Sequence, residues 1–147
     1  MLVRPASKVD VAQLVALMLD YIVDFYRQPD PGESAVTELV QDLLNNPGRG
    51  RQWVAETNGE LIGFATLYIT WNTVPVKQTG ILNDLYVAPK MRGRQVGESL
   101  FKTVLSHVRD QGLAGLEWAT ATDNLAAQSL YRKMGGRVSP WLHFEME

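Results

Sequence analysis

The chain is expected to form a single α+β domain with a mixed, mostly antiparallel sheet, and three features carry that expectation. Apolar residues recur at helical spacing near the start, at Val11, Leu14, Val15, Met18 and Ile22. From Gln52 the pattern becomes strand-like around Asn58-Gly59, the strongest short hairpin signal. A β-rich run then stops at Pro89, passes a basic glycine-containing turn and continues into an amphipathic helix. At 147 residues the whole chain, 1–147, reads as one domain able to bury most of its apolar surface.

Each element has its local reason. Leu2-Val3-Arg4 is a short strand, and Ser7-Lys8-Val9-Asp10 has the form of a capping box that opens the first helix. An aromatic, proline-rich bend from Tyr21 to Pro31 separates it from a second helix over 34–45. That helix places Val36, Leu39, Val40, Leu43 and Leu44 on its apolar side, and Asn46-Pro47-Gly48 stops it. Trp53 to Glu56 and Leu61 to Thr70 are the hairpin strands, followed by a strand from Gln78 to Val87. The helix after the basic turn points Leu100, Phe101, Val104, Leu105 and Val108 inward, with Glu98 and Lys102 as an exposed i,i+4 pair. A short strand at 116–119, a helix over 124–134 and a closing strand over 141–146 complete the order.

Composition excludes several classes. A formal net charge of −2 gives no general attraction to nucleic acid or to an anionic membrane. The basic residues Lys90, Arg92 and Arg94 cluster instead, which suits a small polyanion. There is no cysteine, hence no disulfide, thiolate metal site or cysteine nucleophile. His107 and His143 lie far apart, so no metal is expected. No secretory segment or membrane-length apolar run is visible, and the expectation is a cytoplasmic protein without nucleic-acid or membrane partners.

The run from Asp84 to Leu100 is the most informative. A strand end, a basic turn and a helix start bring unpaired amides and a positive helix end to one point, where phosphate oxygens are favoured. A second signature lies downstream in Asn124, Ala127, Leu130, Tyr131 and Gly135. Together these resemble the GNAT superfamily of N-acetyltransferases. Its cofactor turn, Arg/Gln-x-x-Gly-x-Gly/Ala, appears as Arg92-Gly93-Arg94-Gln95-Val96-Gly97, and its later motif, Asn-x-x-Ala-x-x-Leu-Tyr-x-x-x-Gly, matches at every named place. The resemblance runs from Val3 to the final strand.

It implies the GNAT fold, whose two central strands splay apart, with acetyl-CoA as cosubstrate and no metal. Backbone groups of Leu85, Tyr86 and Val87 would then pair with the thioester carbonyl and pantetheine. Arg92, Gly93, Arg94, Gln95, Val96, Gly97 and Glu98 would surround the pyrophosphate, with Asn124 and Ala127 on the pantetheine arm. A homodimer is the family's usual state. Tyr131 matches the tyrosine that commonly protonates the departing thiolate; the other reading is a packed tyrosine beside Leu130 and Met134.

Two positions depart from the family pattern. The glutamate that often faces the acceptor amine aligns with Asn83, which cannot take a proton. Strand alternation directs Asp84 to the opposite side unless a bulge re-aims it, so Asp84 is either a base or amine anchor, or a stabiliser of the turn. Gln95 stands where glycine is usual; it is expected to take ordinary helical or bridge dihedrals and to remodel the turn slightly. Tyr21, Asp24, Tyr26 and Glu33 from the bend, with Asn83, are the candidate acceptor contacts.

The leading expectation is acetyl transfer from acetyl-CoA to a primary amine of a small molecule (a polyamine, diamine or amino-acid-like amine) by direct attack in a ternary complex. The missing cysteine excludes an acetyl-cysteine intermediate. The alternatives are a weakly catalytic or non-catalytic acyl-CoA-binding module and a protein or peptide amine acetyltransferase. A P-loop phosphate site fits poorly, because the turn lacks Gly-Lys-Ser/Thr.

Overall fold

Asn58 and Gly59 both take positive φ, 50° and 79°, as the two-residue hairpin turn of an Asn-Gly pair requires. They join β2 (Gly50–Thr57) to β3 (Glu60–Asn72), the centre of a five-stranded sheet. The structure, a computed structural model, describes residues 1–147. The strand order is β1 (Leu2–Pro5), β2, β3, β4 (Lys77–Val87) and β5 (Leu116–Glu117); all pairings are antiparallel except β4–β5.

Both sheet faces are covered, so β3 is apolar almost throughout. On one face α1 (Val11–Leu19) and α2 (Glu33–Asn45) bring Leu14, Val15, Met18, Val36 and Val40 onto Val54, Phe64 and Tyr86. On the other, α3 (Val96–Asp110) packs Leu100, Phe101, Val104 and Val108 against Trp53, Ala65, Leu67 and Leu82. Phe64 and Phe101 are almost wholly buried, each worth roughly 1.5–3 kcal/mol of transfer free energy. Leu39, expected on the apolar side of α2, is 37% exposed at its margin. The last helix, α4 (Leu125–Lys133), buries no residue fully.

An ion cluster locks the entry to this framework. Arg4 donates to both Asp10 oxygens at 2.7 and 2.9 Å and to Glu56 Oε2 at 2.8 and 3.0 Å, joining β1 to β2 and to the start of α1. The expected capping residues meet: the Ser7 N–H donates to Asp10 Oδ2 at 2.8 Å.

Three local expectations are corrected. The bend does not begin at Tyr21, because residues Asp20–Phe25 continue α1 as a π-helical turn, with the Tyr26 N–H donating to the Tyr21 carbonyl. The strand expected at 116–119 stops after Glu117, where Trp118 turns to pack on Phe101 and Tyr131. The closing strand over 141–146 does not form: Trp141, Leu142, Phe144 and Met146 are 84–98% exposed. Its alternating pattern needs a strand edge to pair with, and the two-residue β5 offers very little ladder.

Two irregularities of β4 prepare the site. Thr66 opposes Asp84 while Leu67 opposes Leu82, so Asn83 is the extra residue of a β-bulge. The bulge reverses the parity of the strand: Leu82 shares the α3 side with Leu85 and Val87, and Tyr86 joins the α1 side. Beyond Ile81, β4 and β5 separate, since only Gly80↔Leu116 and Ile81↔Glu117 are paired. This is the splay of the expected fold, with β5 here at the sheet edge.

Candidate active site

The bulge aims Asp84 into the cluster under α1. Asn83 Nδ2 donates to Asp84 Oδ1 at 3.0 Å, so the two neighbours act on one side of the strand, contrary to simple alternation. The hydroxyls of Thr66, which stands opposite on β3, and of Tyr21 lie close enough to act on the carboxylate as well. All three partners are neutral. Burial therefore prevails over their hydrogen bonds and pushes the Asp84 carboxyl above its usual range. Burial, helped by the Asp84 charge, also pushes the phenols of Tyr21 and Tyr68 upward.

The π-helical turn supplies the aromatic wall. Tyr21 meets Tyr26 edge-on at 4.9 Å, Tyr86 at 5.4 Å and Phe64 at 5.5 Å between ring centroids. Tyr131, half-buried on α4, packs on Trp118 at 5.3 Å and Phe101 at 5.9 Å. Burial raises its pKa first, and the neighbouring Tyr26 adds to the effect. Tyr26 itself packs on Tyr21 and Phe25. Asp24 is exposed; it acts with Asp20 on Tyr86 rather than on Asp84. Glu33 stands apart on the outer face of α2 with Ser34, Thr37, Glu38 and Gln41.

The turn between β4 and α3 departs from expectation at one residue. Gln95 does not avoid the left-handed region: its φ of 63° and ψ of 18° are those a glycine would take. The turn keeps its shape at a cost of about 1 kcal/mol in backbone strain. Arg92 is exposed in the turn, and its side chain also reaches the aromatic wall. Its Nε donates to the Val87 carbonyl at 3.1 Å and its guanidinium lies 5.5 Å from the Phe25 ring and 5.7 Å from that of Tyr86. It fastens the turn to the aromatic wall and engages one backbone group expected to meet pantetheine.

Gly93 is also left-handed, at φ 78°, and Arg94 is exposed. Val96 is buried, so only its backbone faces the turn. Glu98 binds Lys102 at 3.2 Å and Lys133 at 3.3 Å, tying α3 to α4. Asn124 caps α4: its Oδ1 accepts from the Ala127 N–H at 3.2 Å, which leaves Nδ2 for any ligand. A methyl added at Gly97 would meet only Val87 and Leu130, at 3.7 and 3.9 Å, so local crowding does not require that glycine.

Thr66, Tyr68 and Phe25 are site residues that the sequence reading missed. Thr66 carried a signal, a lone hydroxyl inside the apolar run Leu61–Leu67 of a doubly covered strand. Tyr68 and Phe25 carried none. No group of three or more acidic, histidine or cysteine side chains is arranged to hold a metal, and no helix is long and apolar enough to cross a membrane.

Comparison with known proteins identifies the family. The model of the acetyltransferase (GNAT) family matches residues 15–136. The chain is 35% identical over 133 residues to the uncharacterized N-acetyltransferase YhfO of Bacillus subtilis (strain 168), covering 90% of this chain and 87% of that protein. It is 27% identical over 142 residues to a thialysine N-epsilon-acetyltransferase of Caenorhabditis elegans, covering 94% and 87%. Among solved structures, that of a probable acetyltransferase superposes with a TM-score of 0.90 at 23% identity, covering 100% of this chain and 97% of that one. The chain therefore belongs to the GNAT family and is an acetyl-CoA-dependent acetyltransferase.

Proposed function

We propose that the protein acetylates a primary amine of a small cationic molecule, a polyamine, diamine or amino-acid-like amine, by direct attack in a ternary complex. The observation that carries this reading is Asp84: a half-buried carboxylate with only neutral groups beside it, next to the tyrosine cluster. An ammonium is the partner such a group lacks, and aromatic faces favour the same charge. The similarity to a thialysine N-epsilon-acetyltransferase points toward the same acceptor class.

Acetyl-CoA supplies the activated acetyl group. Asp84 anchors the ammonium and accepts its proton, for which a raised pKa makes it a stronger base than an ordinary carboxylate. Tyr131, with its pKa raised, stays protonated at neutral pH and holds the proton that the departing thiolate takes. For the cosubstrate, the amides of 93–98 receive the pyrophosphate with Arg94, while Leu85, Tyr86, Asn124 and Ala127 line the pantetheine path. Gly97 supports this placement, because the fold leaves space there that a ligand could approach closely. A binding module without turnover finds less support, since Gln95 keeps the turn and the bulge supplies a carboxylate beside Asn83.

We also read the protein as a homodimer. Trp141, Leu142, Phe144 and Met146 are too large and too exposed to be left in water, and a second copy would cover them. Light scattering should show a dimer that Trp141→Ser with Phe144→Ser weakens; a wild-type monomer at working concentration would refute it. The acceptor is tested by an acetyl-CoA-coupled screen over polyamines, amino acids, aminoglycosides and short peptides. Turnover confined to small cationic amines is expected, and turnover confined to peptides would overturn the reading.

A further inference from the structure

The antiparallel register sets two rows of residues side by side across β2, β3 and β4. One row is apolar: Val54 opposes Phe64, and Phe64 opposes Tyr86. The next row is polar: Gln52 opposes Thr66, and Thr66 opposes Asp84. Both rows face α1, where Met18 touches them. Gln52 is 4% exposed and Thr66 is 0% exposed, in a layer that apolar side chains could fill without any polar group. Burying a carboxamide and a hydroxyl costs stability unless they are bonded, and these two are bonded to each other.

The direction of that bond matters. Gln52 Nε2 donates to Thr66 Oγ1 at 3.0 Å and also lies 3.5 Å from Met18 Sδ. A hydroxyl has one proton, so with an N–H already on its oxygen Thr66 is free to donate toward Asp84. We infer that Gln52 is a positioning residue, fixing the Thr66 hydroxyl as a donor to Asp84 and thereby orienting the carboxylate that receives the acceptor amine. The inference rests on the role assigned to Asp84 above.

The remaining groups facing Asp84 are Tyr21 from the π-helical turn, Tyr68 from β3 and Asn83 from its own strand. None of them is cationic, so the hydrogen bonds are what oppose the burial of this charge. Losing the Thr66 donor, or the group that directs it, leaves the carboxylate with fewer bonds and moves its titration upward. A Gln52 that served packing alone would not produce that shift.

The test is a carbon-detected NMR titration of the Asp84 carboxyl in the full chain, without substrate, for wild type, Gln52→Met, Thr66→Val and the double variant. Gln52→Met is expected to raise the midpoint by about half a unit or more, Thr66→Val by at least as much, and the double variant no further than Thr66→Val alone. An unchanged midpoint in folded Gln52→Met, or fully additive shifts in the double variant, would overturn the inference. Should Gln52→Met fail to fold, Gln52→Asn withdraws the amide by one methylene, and the same titration decides. With an acceptor from the screen, Gln52→Met should lower kcat/KM for the amine about three- to tenfold, shift its acidic limb to higher pH and leave the acetyl-CoA KM unchanged. The titration needs no turnover, so failure to find an acceptor would count against the proposed function while the row is still tested.

Discussion

Asp10 is buried and Asp84 half-buried, and what chiefly separates them is the charge that meets each. Asp10 is met by two N–H groups of Arg4 and by the Ser7 amide, so its carboxyl lies below the usual range. Asp84 accepts from Asn83 and has beside it only the neutral hydroxyls of Thr66 and Tyr21, so burial prevails and its carboxyl lies above that range. The first charge is answered within the fold and holds β1, β2 and α1 together. The second is left unanswered, and a cationic acceptor would complete it. An aspartate supplied with its own cation is architecture, while one denied it is available for chemistry.

Breaking the answered pair should give the largest effect. Arg4→Leu leaves Asp10 buried without a cation and is expected to destabilise the fold by about 3 kcal/mol, read as a lower denaturant midpoint at unchanged slope. At temperatures where it stays folded, its kcat should be near wild type. Tyr131→Phe should do the reverse: no more than a small change in stability, and an acetylation rate lower by roughly ten- to a thousandfold. Full activity in that variant would return Tyr131 to a packing role against Trp118 and Phe101.

The pH dependence of stability separates the two aspartates by sign. The folded pKa of Asp10 is lowered, so its contribution is present above the unfolded carboxyl value near 4 and is lost as pH falls through the folded one. Arg4→Leu should therefore flatten the acid side of the stability curve. The folded pKa of Asp84 is raised, so its contribution is present below about pH 4 and is lost as pH rises through the folded value. Asp84→Asn should remove that loss. Smallest is Gln95→Gly, which relieves the left-handed backbone at φ 63° and should stabilise the protein by about 0.5–1 kcal/mol, less the added freedom of the unfolded glycine. Acetyl-CoA binding to that variant, measured by calorimetry, should be near wild type.

What the sequence disclosed follows the range of the interactions involved. The Asn58-Gly59 hairpin and the capping residues at Ser7 and Asp10 are set by neighbours a few positions apart, and both appear. The bulge at Asn83 is invisible locally, because it depends on which residues of β3 stand opposite. Without it, Asp84 falls on the wrong side of the strand, which is why its role was left open between base and stabiliser. Gln95 was misjudged for a similar reason: its own preference is overruled by the need to end β4 and begin α3 within a few residues. Arg92 is placed in the cofactor turn by the motif and its charge, and neither discloses that Phe25 and Tyr86 reach it from elsewhere in the chain. The 141–146 segment alternates like a strand, but alternation alone supplies no neighbouring strand for it to pair with.

The central claim, that Asp84 is kept without a cation for the acceptor amine, is tested most directly by measuring Asp84→Asn for activity and stability together. The account predicts that kcat/KM for a cationic amine falls by about a hundredfold or more from about pH 6 to 9, while the thermal midpoint stays level or rises. Wild-type activity across that range, or a fall in stability comparable to that of Arg4→Leu, would contradict it.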